Sequence, residues 1–403
     1  MWQCARSTTS LSMRSDYSYS GGQRHRRVRR RRKRHTARQR FWRYVKSGRF
    51  IVSLFAFAAV FLFVTSGIVA IRAFRAHRAV ADDVVDIDIS GSDSKSVATD
   101  TVPVTEDMQV TLEAPPDPEV ASFAPGYTFE RTDRTKKLPK FKEDGSGSTV
   151  VSQYVVLVDV DTGEIVCERK PDEIINPASM TKILTLLVAV EQLGDRDLDE
   201  LYQITTEITD YVYSHDCSAV GWMPGEKVTI EDLLYGTILP SGADAVQGLC
   251  DVVAGGQEEF VSLMNEKAEE LGLSDTAHFT NATGLYDENH HCTPEDMAAI
   301  LKAALQYETC REVLNARTYT TRKTKKHPDG ILISNWFLRR IEDKPLPGDV
   351  CGAKTGFVKE SGNCAASYLV TEDGGHYICV TGWSTSAWRC IYDHVDIYNG
   401  YVK

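Results

Sequence analysis

The sequence predicts an α+β domain, one antiparallel sheet flanked by helices, preceded by one transmembrane helix and a disordered linker. Three observations carry this expectation: a charge-free apolar run near the N-terminus, a low-hydrophobicity acidic stretch after it, and a C-terminal region with strand patterns at both ends and helical patterns between them. Of the 403 residues, 25% are charged and 42% hydrophobic, a composition that excludes a wholly disordered chain and a polytopic membrane protein. The charge is split. Residues 1–80 hold 19 Lys/Arg against a single acid, Asp16, and the rest of the chain holds 27 bases against 55 acids. So sharp an asymmetry places the two parts in different environments.

Residues 50–71, beginning Phe50-Ile51-Val52, contain no charge. As a helix at about 1.5 Å per residue they span roughly 33 Å, the thickness of a bilayer core. A buried soluble helix would interrupt such a run with a polar face. Residues 24–49 carry 14 Lys/Arg, whereas Arg72, Arg75 and Arg78 are the near bases on the other side. The positive-inside rule therefore makes residues 1–49 a basic cytoplasmic tail and sends the remainder outward, in a single-pass cell-membrane protein. No A-x-A site follows the apolar core, so the run is read as an uncleaved anchor in contact with the lipid bilayer. The Arg29–Arg34 cluster then serves topology and attraction to anionic lipid rather than a nucleic-acid partner.

Residues 72–148 are acidic and rich in Ser, Thr and Pro, lack sustained apolar periodicity, and are assigned to a disordered linker. The domain proper is placed at 149–403. It opens with an apolar strand over 154–160, a turn at Asp161-Thr162-Gly163 and a second strand over 164–167. Helix starts are signalled at Thr229-Ile230-Glu231-Asp232 and Thr293-Pro294-Glu295-Asp296, where a capping Thr precedes an acid at the third helical position. Strands return at about 364–370 and 376–382, and a last helix begins near 387.

Three short motifs follow in one order. The first, Ser179-Met180-Thr181-Lys182, opens an apolar helix, so the serine and the lysine three residues on share a face. A serine hydroxyl is a weak nucleophile until a base takes its proton, and a desolvated lysine can be that base. The second is Ser241-Gly242-Ala243 and the third Lys354-Thr355-Gly356. A second serine can relay a proton to a leaving amine. A lysine and threonine on a strand edge can hold a carboxylate while strand N–H groups polarise a carbonyl. The glycine admits a substrate backbone. Each tripeptide alone is common; Ser92-Asp93-Ser94-Lys95 in the linker also matches the first, with no helix or core behind it. Together, separated by 62 and 113 residues, the three are specific.

In these motifs the chain resembles the low-molecular-mass penicillin-binding proteins that act as serine-type D-alanyl-D-alanine carboxypeptidases, which share a β-lactamase-like transpeptidase fold. The resemblance covers about 150–403 and includes the Asp161–Val166 hairpin, Pro224-Gly225-Glu226 and Asn281-Ala282-Thr283-Gly284-Leu285. It implies that Ser179 attacks the bond between two D-alanines of a peptidoglycan stem peptide, with Lys182 as base and Ser241 assisting the leaving group. It implies an oxyanion hole from the N–H groups of Ser179 and Phe357, and carboxylate binding by Lys354, Thr355 and Arg389, with Gly356 giving clearance. β-Lactam antibiotics would acylate Ser179, and neither cofactor nor metal is implied. One departure stands out: the family's second motif usually ends in Asn, here Ala243. Losing a hydrogen bond of that kind to a charged group costs about 1.5–3 kcal/mol. A non-catalytic, penicillin-binding wall sensor is therefore the alternative to a working carboxypeptidase.

A β-lactamase would need a base for the deacylating water, and no Glu-x-x-x-Asn stretch lies between Ser241 and Lys354. His290-His291-Cys292 with Asp287 and Glu288 invites a zinc reading, but the ligands are too adjacent for one tetrahedral site, and a loop leading to the Thr293 helix is expected. Asn281-Ala282-Thr283 matches a glycosylation acceptor, of little weight in a bacterial wall enzyme. Nine cysteines fall beyond the anchor, an odd number that cannot all pair internally. They imply either disulfides or a reducing habitat, with core filling as the default.

Overall fold

The computed structural model describes residues 123–142 and 147–402. The proposed anchor at 50–71 lies outside the described residues. Among the described residues no helix is long and apolar enough to cross a membrane.

The frame is a six-stranded sheet. Its strands are β1 (Lys136–Lys137), β2 (Tyr154–Asp159), β3 (Ile165–Arg169), β8 (Gly348–Val358), β9 (Gly362–Thr371) and β10 (His376–Ser384), in the spatial order β1-β3-β2-β10-β9-β8. Two-stranded ribbons pair β4 (Leu201–Gln203) with β5 (Lys227–Thr229) and β6 (Thr318–Thr320) with β7 (Leu332–Ser334). The predicted hairpin, the two late strands and the last helix all appear, within a residue or two of their expected bounds.

The run Val155-Val156-Leu157-Val158 is apolar throughout because this strand is covered on both faces. Val155 and Leu157 point one way and Val156 and Val158 the other, as strand geometry requires. On the first side they join Ala365, Leu369 and Cys379 under the closing helix, Ala387–Tyr401, through Cys390, Ile391, Ile397 and Tyr398. On the second they join Ala366, Ile378 and Val380 under the central helix α1 (Lys182–Leu193), with Ile183, Leu184 and Leu187. Around α1 pack α2 (Thr206–Ser214), α3 (Ile230–Ile238), α4 (Ala243–Ala254), α5 (Gln257–Glu270), α6 (Pro294–Ala304) and α7 (Glu308–Asn315). A short α8 (Leu338–Ile341) lies beside the closing helix, α9.

Both predicted capping boxes are complete. Thr229 and Asp232 exchange side chain-to-backbone bonds at the start of α3, and Thr293 and Asp296 do so at α6. Each box satisfies two N–H groups that a helix start leaves without partners.

Two expectations are corrected. Residues 123–142, which composition assigns to the linker, belong to the fold: Phe129 and Leu138 are buried, and Lys302 Nζ donates to the carbonyls of Ala124 and Gly126, both at 2.7 Å. Composition concealed this because the segment is held mainly by backbone bonds and ion pairs. Glu130 exchanges bonds with Gly163 and Ile165, and Arg131 bridges Glu168 and Glu295. The same segment supplies β1, which runs parallel to β3, so the sheet is mixed rather than antiparallel. The cysteines settle as core filling. All nine in the described residues are free thiols, eight of them buried, and Cys217 is half-exposed.

Leu157 is fully enclosed on the α9 side. Leu157→Ala is expected to remove about 2–5 kcal/mol of stability, read as a lower urea midpoint with unchanged slope.

Candidate active site

The nucleophile's turn is built first. Pro177 precedes a 3₁₀ turn, Ala178–Thr181, that runs directly into α1 at Lys182. The sequence placed Ser179 inside the α-helix; it lies in this tighter turn instead. In 3₁₀ geometry residues i and i+3 eclipse, which brings Lys182 over the serine: Lys182 Nζ lies 3.0 Å from Ser179 Oγ. Ser179 is half-buried and Lys182 is 2% exposed.

Two glycines fix the turn from opposite sides. Gly284 has φ +77°, and a Cβ there would fall 1.9 Å from the Ala178 carbonyl oxygen. Gly356 of β8 would place a Cβ 2.9 Å from the Pro177 oxygen and 3.0 Å from the Ser179 nitrogen. The strand carrying the third motif therefore lies against the backbone of the nucleophile. Among the described residues it is also the terminal strand of the sheet, with strand pairing on one edge only.

The second lysine mirrors the first. Lys354 is 2% exposed, and its Nζ lies 3.0 Å from Ser241 Oγ and 2.8 Å from the Thr355 carbonyl. Ser241 sits between α3 and α4 with φ +64°, a conformation that non-glycine residues hold only when their surroundings impose it. Asp244 braces the segments around it. Its buried carboxylate accepts N–H bonds from Val220, Gly221 and Ala245, tying the loop before α3 to the first turn of α4. Ala243 presents a buried methyl group, and its N–H donates to the Ser218 carbonyl.

Burial dominates the electrostatics. Desolvation pulls Lys182 down to about 8, partly opposed by Cys217 and Asp244. Lys354 is lowered well below lysine's ordinary value by burial and by the positive charge of Lys182. Burial of the charged form therefore makes a neutral amine beside Ser179 accessible near neutral pH.

Of the eight residues singled out in the sequence, Ser179, Lys182, Ser241, Lys354, Thr355, Gly356 and Phe357 gather at the junction of α1, the α3–α4 loop and β8. Arg389 does not join them by any hydrogen bond. Its guanidinium is held by Asp393 at 2.9 Å, Asp396 at 2.7 Å and the Thr149 carbonyl at 2.5 Å. An arginine at the start of a helix with acids four and seven residues on closes its ion pairs along that helix.

Sequence reasoning gave no task to the Asn281–Leu285 loop, although the stretch itself was noticed. The Thr283 carbonyl is the second acceptor at Lys182 Nζ, at 2.5 Å. Asn281 Oδ1 gathers the N–H groups of Thr283, Gly284 and Leu285 and the Thr283 hydroxyl, which aims that carbonyl at the lysine. Asn281 Nδ2 in turn donates to the Leu285 carbonyl at 3.0 Å, closing the loop on itself. His290 is buried between Thr181 Oγ1 at 2.8 Å and the Thr280 N–H at 3.1 Å, and burial lowers it to about 4. It braces the nucleophile's turn. Among the described residues no group of His, Cys, Asp and Glu side chains has a metal-holding arrangement.

The family model for D-alanyl-D-alanine carboxypeptidases (peptidase S11) matches residues 141–381, more than half of the chain. The chain belongs to that family. Among its S11 relatives, D-alanyl-D-alanine carboxypeptidase DacF of Bacillus subtilis is 32% identical over 226 residues, covering 55% of this chain and 56% of the relative. The D-alanyl-D-alanine carboxypeptidase of Streptomyces sp. strain K15 is 30% identical over 231 residues, covering 56% of this chain and 78% of the relative. The crystal structure of the Streptomyces K15 DD-transpeptidase superposes with a TM-score of 0.57 at 28% identity, covering 62% of this chain and 97% of that one. The chain thus spans little more than half the length of the Bacillus relative, and most of the Streptomyces one.

Gly284→Ala is expected to displace the Ser179 turn, abolishing acylation by benzylpenicillin while the far-ultraviolet dichroism stays native. The rate of that acylation should climb as pH rises through about 8 and level off once Lys182 is neutral. A stopped-flow profile between pH 6 and about 10 reads both limbs.

Proposed function

We propose that this protein is a membrane-anchored serine D-alanyl-D-alanine carboxypeptidase that removes the terminal D-alanine from peptidoglycan stem pentapeptides. One observation carries the reading: a buried lysine lowered to about 8 lies 3.0 Å from the hydroxyl of a half-exposed serine. Around that pair the residues divide the work. Lys182 takes the Ser179 proton as Oγ attacks the carbonyl carbon of the penultimate D-alanine. The N–H groups of Ser179 and Phe357 receive the charge that develops on the carbonyl oxygen. Ser241, against Lys354, returns a proton to the departing amine as the C–N bond breaks, leaving an acyl-enzyme that water hydrolyses. Lys354 and Thr355 bind the terminal carboxylate. An incoming anion also favours the charged form of Lys354 that burial disfavours.

The missing second-motif amide bears on whether the site turns over. Lys182 retains two oxygen acceptors, Ser179 Oγ and the Thr283 carbonyl, which hold it in place without an amide from position 243. That favours catalysis over a non-catalytic sensor. The anchor is proposed from residues 50–71 and the basic flank before them, which put the domain on the outer face of a bacterial cell membrane.

Intact-mass spectrometry with benzylpenicillin, with Ser179→Ala as control, tests the nucleophile, and D-alanine release from a stem pentapeptide tests turnover. The expected result is an adduct that the variant lacks, together with release. An adduct without release would move the protein to the sensor reading, and no adduct on folded protein would end the catalytic one.

A further inference from the structure

A cleft of about 1170 Å³ opens along one end of the main sheet. Its walls come from matching strand ends: Phe357 of β8, Asn363 of β9, Trp383 of β10, Arg169 of β3 and Lys137 of β1. It therefore starts at the catalytic edge, one residue beyond the Gly356 that abuts the Ser179 nitrogen, and leads away across the sheet.

Beyond residue 80 acids outnumber bases 55 to 27, yet five bases, Arg131, Lys137, Lys140, Arg169 and Lys170, line this cleft beside two acids, Glu168 and Asp172. Arg131 also reaches Glu295, Lys137 lies 3.9 Å from Glu168, and Lys170 lies 3.6 Å from Glu173, which leaves the bases in excess. Glu168 is already occupied by Arg131 at 2.7 Å. Arg169 is held by the carbonyls of Val150, Ser152 and Pro139, and its Nε is buried without a hydrogen-bond partner. Among the described residues no carboxylate pairs with it.

Aromatic faces complete the lining: Phe141 is 43%, Phe357 64% and Trp383 41% exposed. Trp383 stands on an irregularity in the β9–β10 pairing with φ +55°, and its Nε1 donates to the Glu360 carbonyl. Five non-glycine residues of the described chain have positive φ. Ala178 and Ser241 are at the catalytic site, and Lys170 and Trp383 are on this cleft. Backbone strain of this kind persists where surrounding structure and use maintain it.

We infer that the cleft is an exosite for the anionic glycopeptide strand that carries the scissile D-alanyl peptide, with the lysines taking its carboxylates and the aromatic rings its sugar faces. This rests on the peptidase reading and adds a second contact surface, which would make a polymeric strand preferred over a short soluble peptide. Attraction of this sort acts on capture and weakens with salt.

The test compares the full-length protein with a Lys137→Glu, Lys140→Glu, Lys170→Glu variant, and separately with Trp383→Ala. Each is assayed on a glycan-linked pentapeptide strand and on a capped tripeptide ending in D-alanyl-D-alanine. The expected result is a fall of about tenfold or more in the ratio of kcat/KM for strand over tripeptide, carried by KM, with the wild-type preference shrinking as salt rises. An unchanged ratio in the folded charge variant overturns the inference. Benzylpenicillin acylation of Ser179 separates the two levels, because its absence in the wild type would sink the peptidase reading alone. The cleft is then read by fluorescence polarisation of labelled strand on Ser179→Ala protein with and without the three substitutions. Equal binding there also overturns it.

Discussion

Burying an ammonium group without a carboxylate hydrogen-bonded to it is costly, and the helical side of the candidate site is organised around one such burial, at Lys182. Its position at the start of α1 puts it under the whole helical layer, where water cannot solvate the charge. What holds it is a pair of neutral oxygens, a serine hydroxyl and a main-chain carbonyl, which accept from the lysine without a negative charge to fix its proton. A paired carboxylate would have fixed the proton and removed the base. The Asn281 loop, the left-handed Gly284 and the buried His290 all serve the placement of those two oxygens.

The opposite face of the sheet contrasts with this. There Asp393 is fully buried, and its carboxylate receives the N–H groups of Val151 and Ser152, the Ser152 and Ser384 hydroxyls and the Arg389 guanidinium. Five donors on one anion rigidify the frame, joining the entry to β2, the end of β10 and α9. The two faces treat buried charge in opposite ways, one saturating it to stiffen the sheet and the other starving it to activate a nucleophile.

Much of this was legible in the sequence because the signals were local. Thr229 with Asp232 and Thr293 with Asp296 are satisfied within one helical turn, and the strand run 154–159 states its burial in its own composition. The Ser179, Ser241 and Lys354 motifs are each contiguous, so their chemistry could be read before their proximity was known. What escaped depends on contacts between distant segments. Thr283 acts through its main-chain carbonyl, which any residue could supply. Gly284 is required by Ala178, about a hundred positions earlier. Residues 123–142 hide their place in the sheet because two strand residues and a few ion pairs leave no periodic pattern. Arg389 was legible only in part: its spacing from Lys354 fits the family, while its ion pairs to Asp393 and Asp396 on its own helix went unread.

The cysteines carry one last consequence. With nine thiols and no disulfide among the described residues, nothing covalent closes this domain, and packing alone must hold it. Burial raises the pKa of Cys167, Cys250, Cys292, Cys310 and Cys379, which suppresses the thiolate on which both oxidation and exchange depend. Such a domain reaches its working form without an oxidase or a disulfide isomerase. Its integrity is indifferent to whether the surroundings are aerobic, and a reductant finds no bond to break.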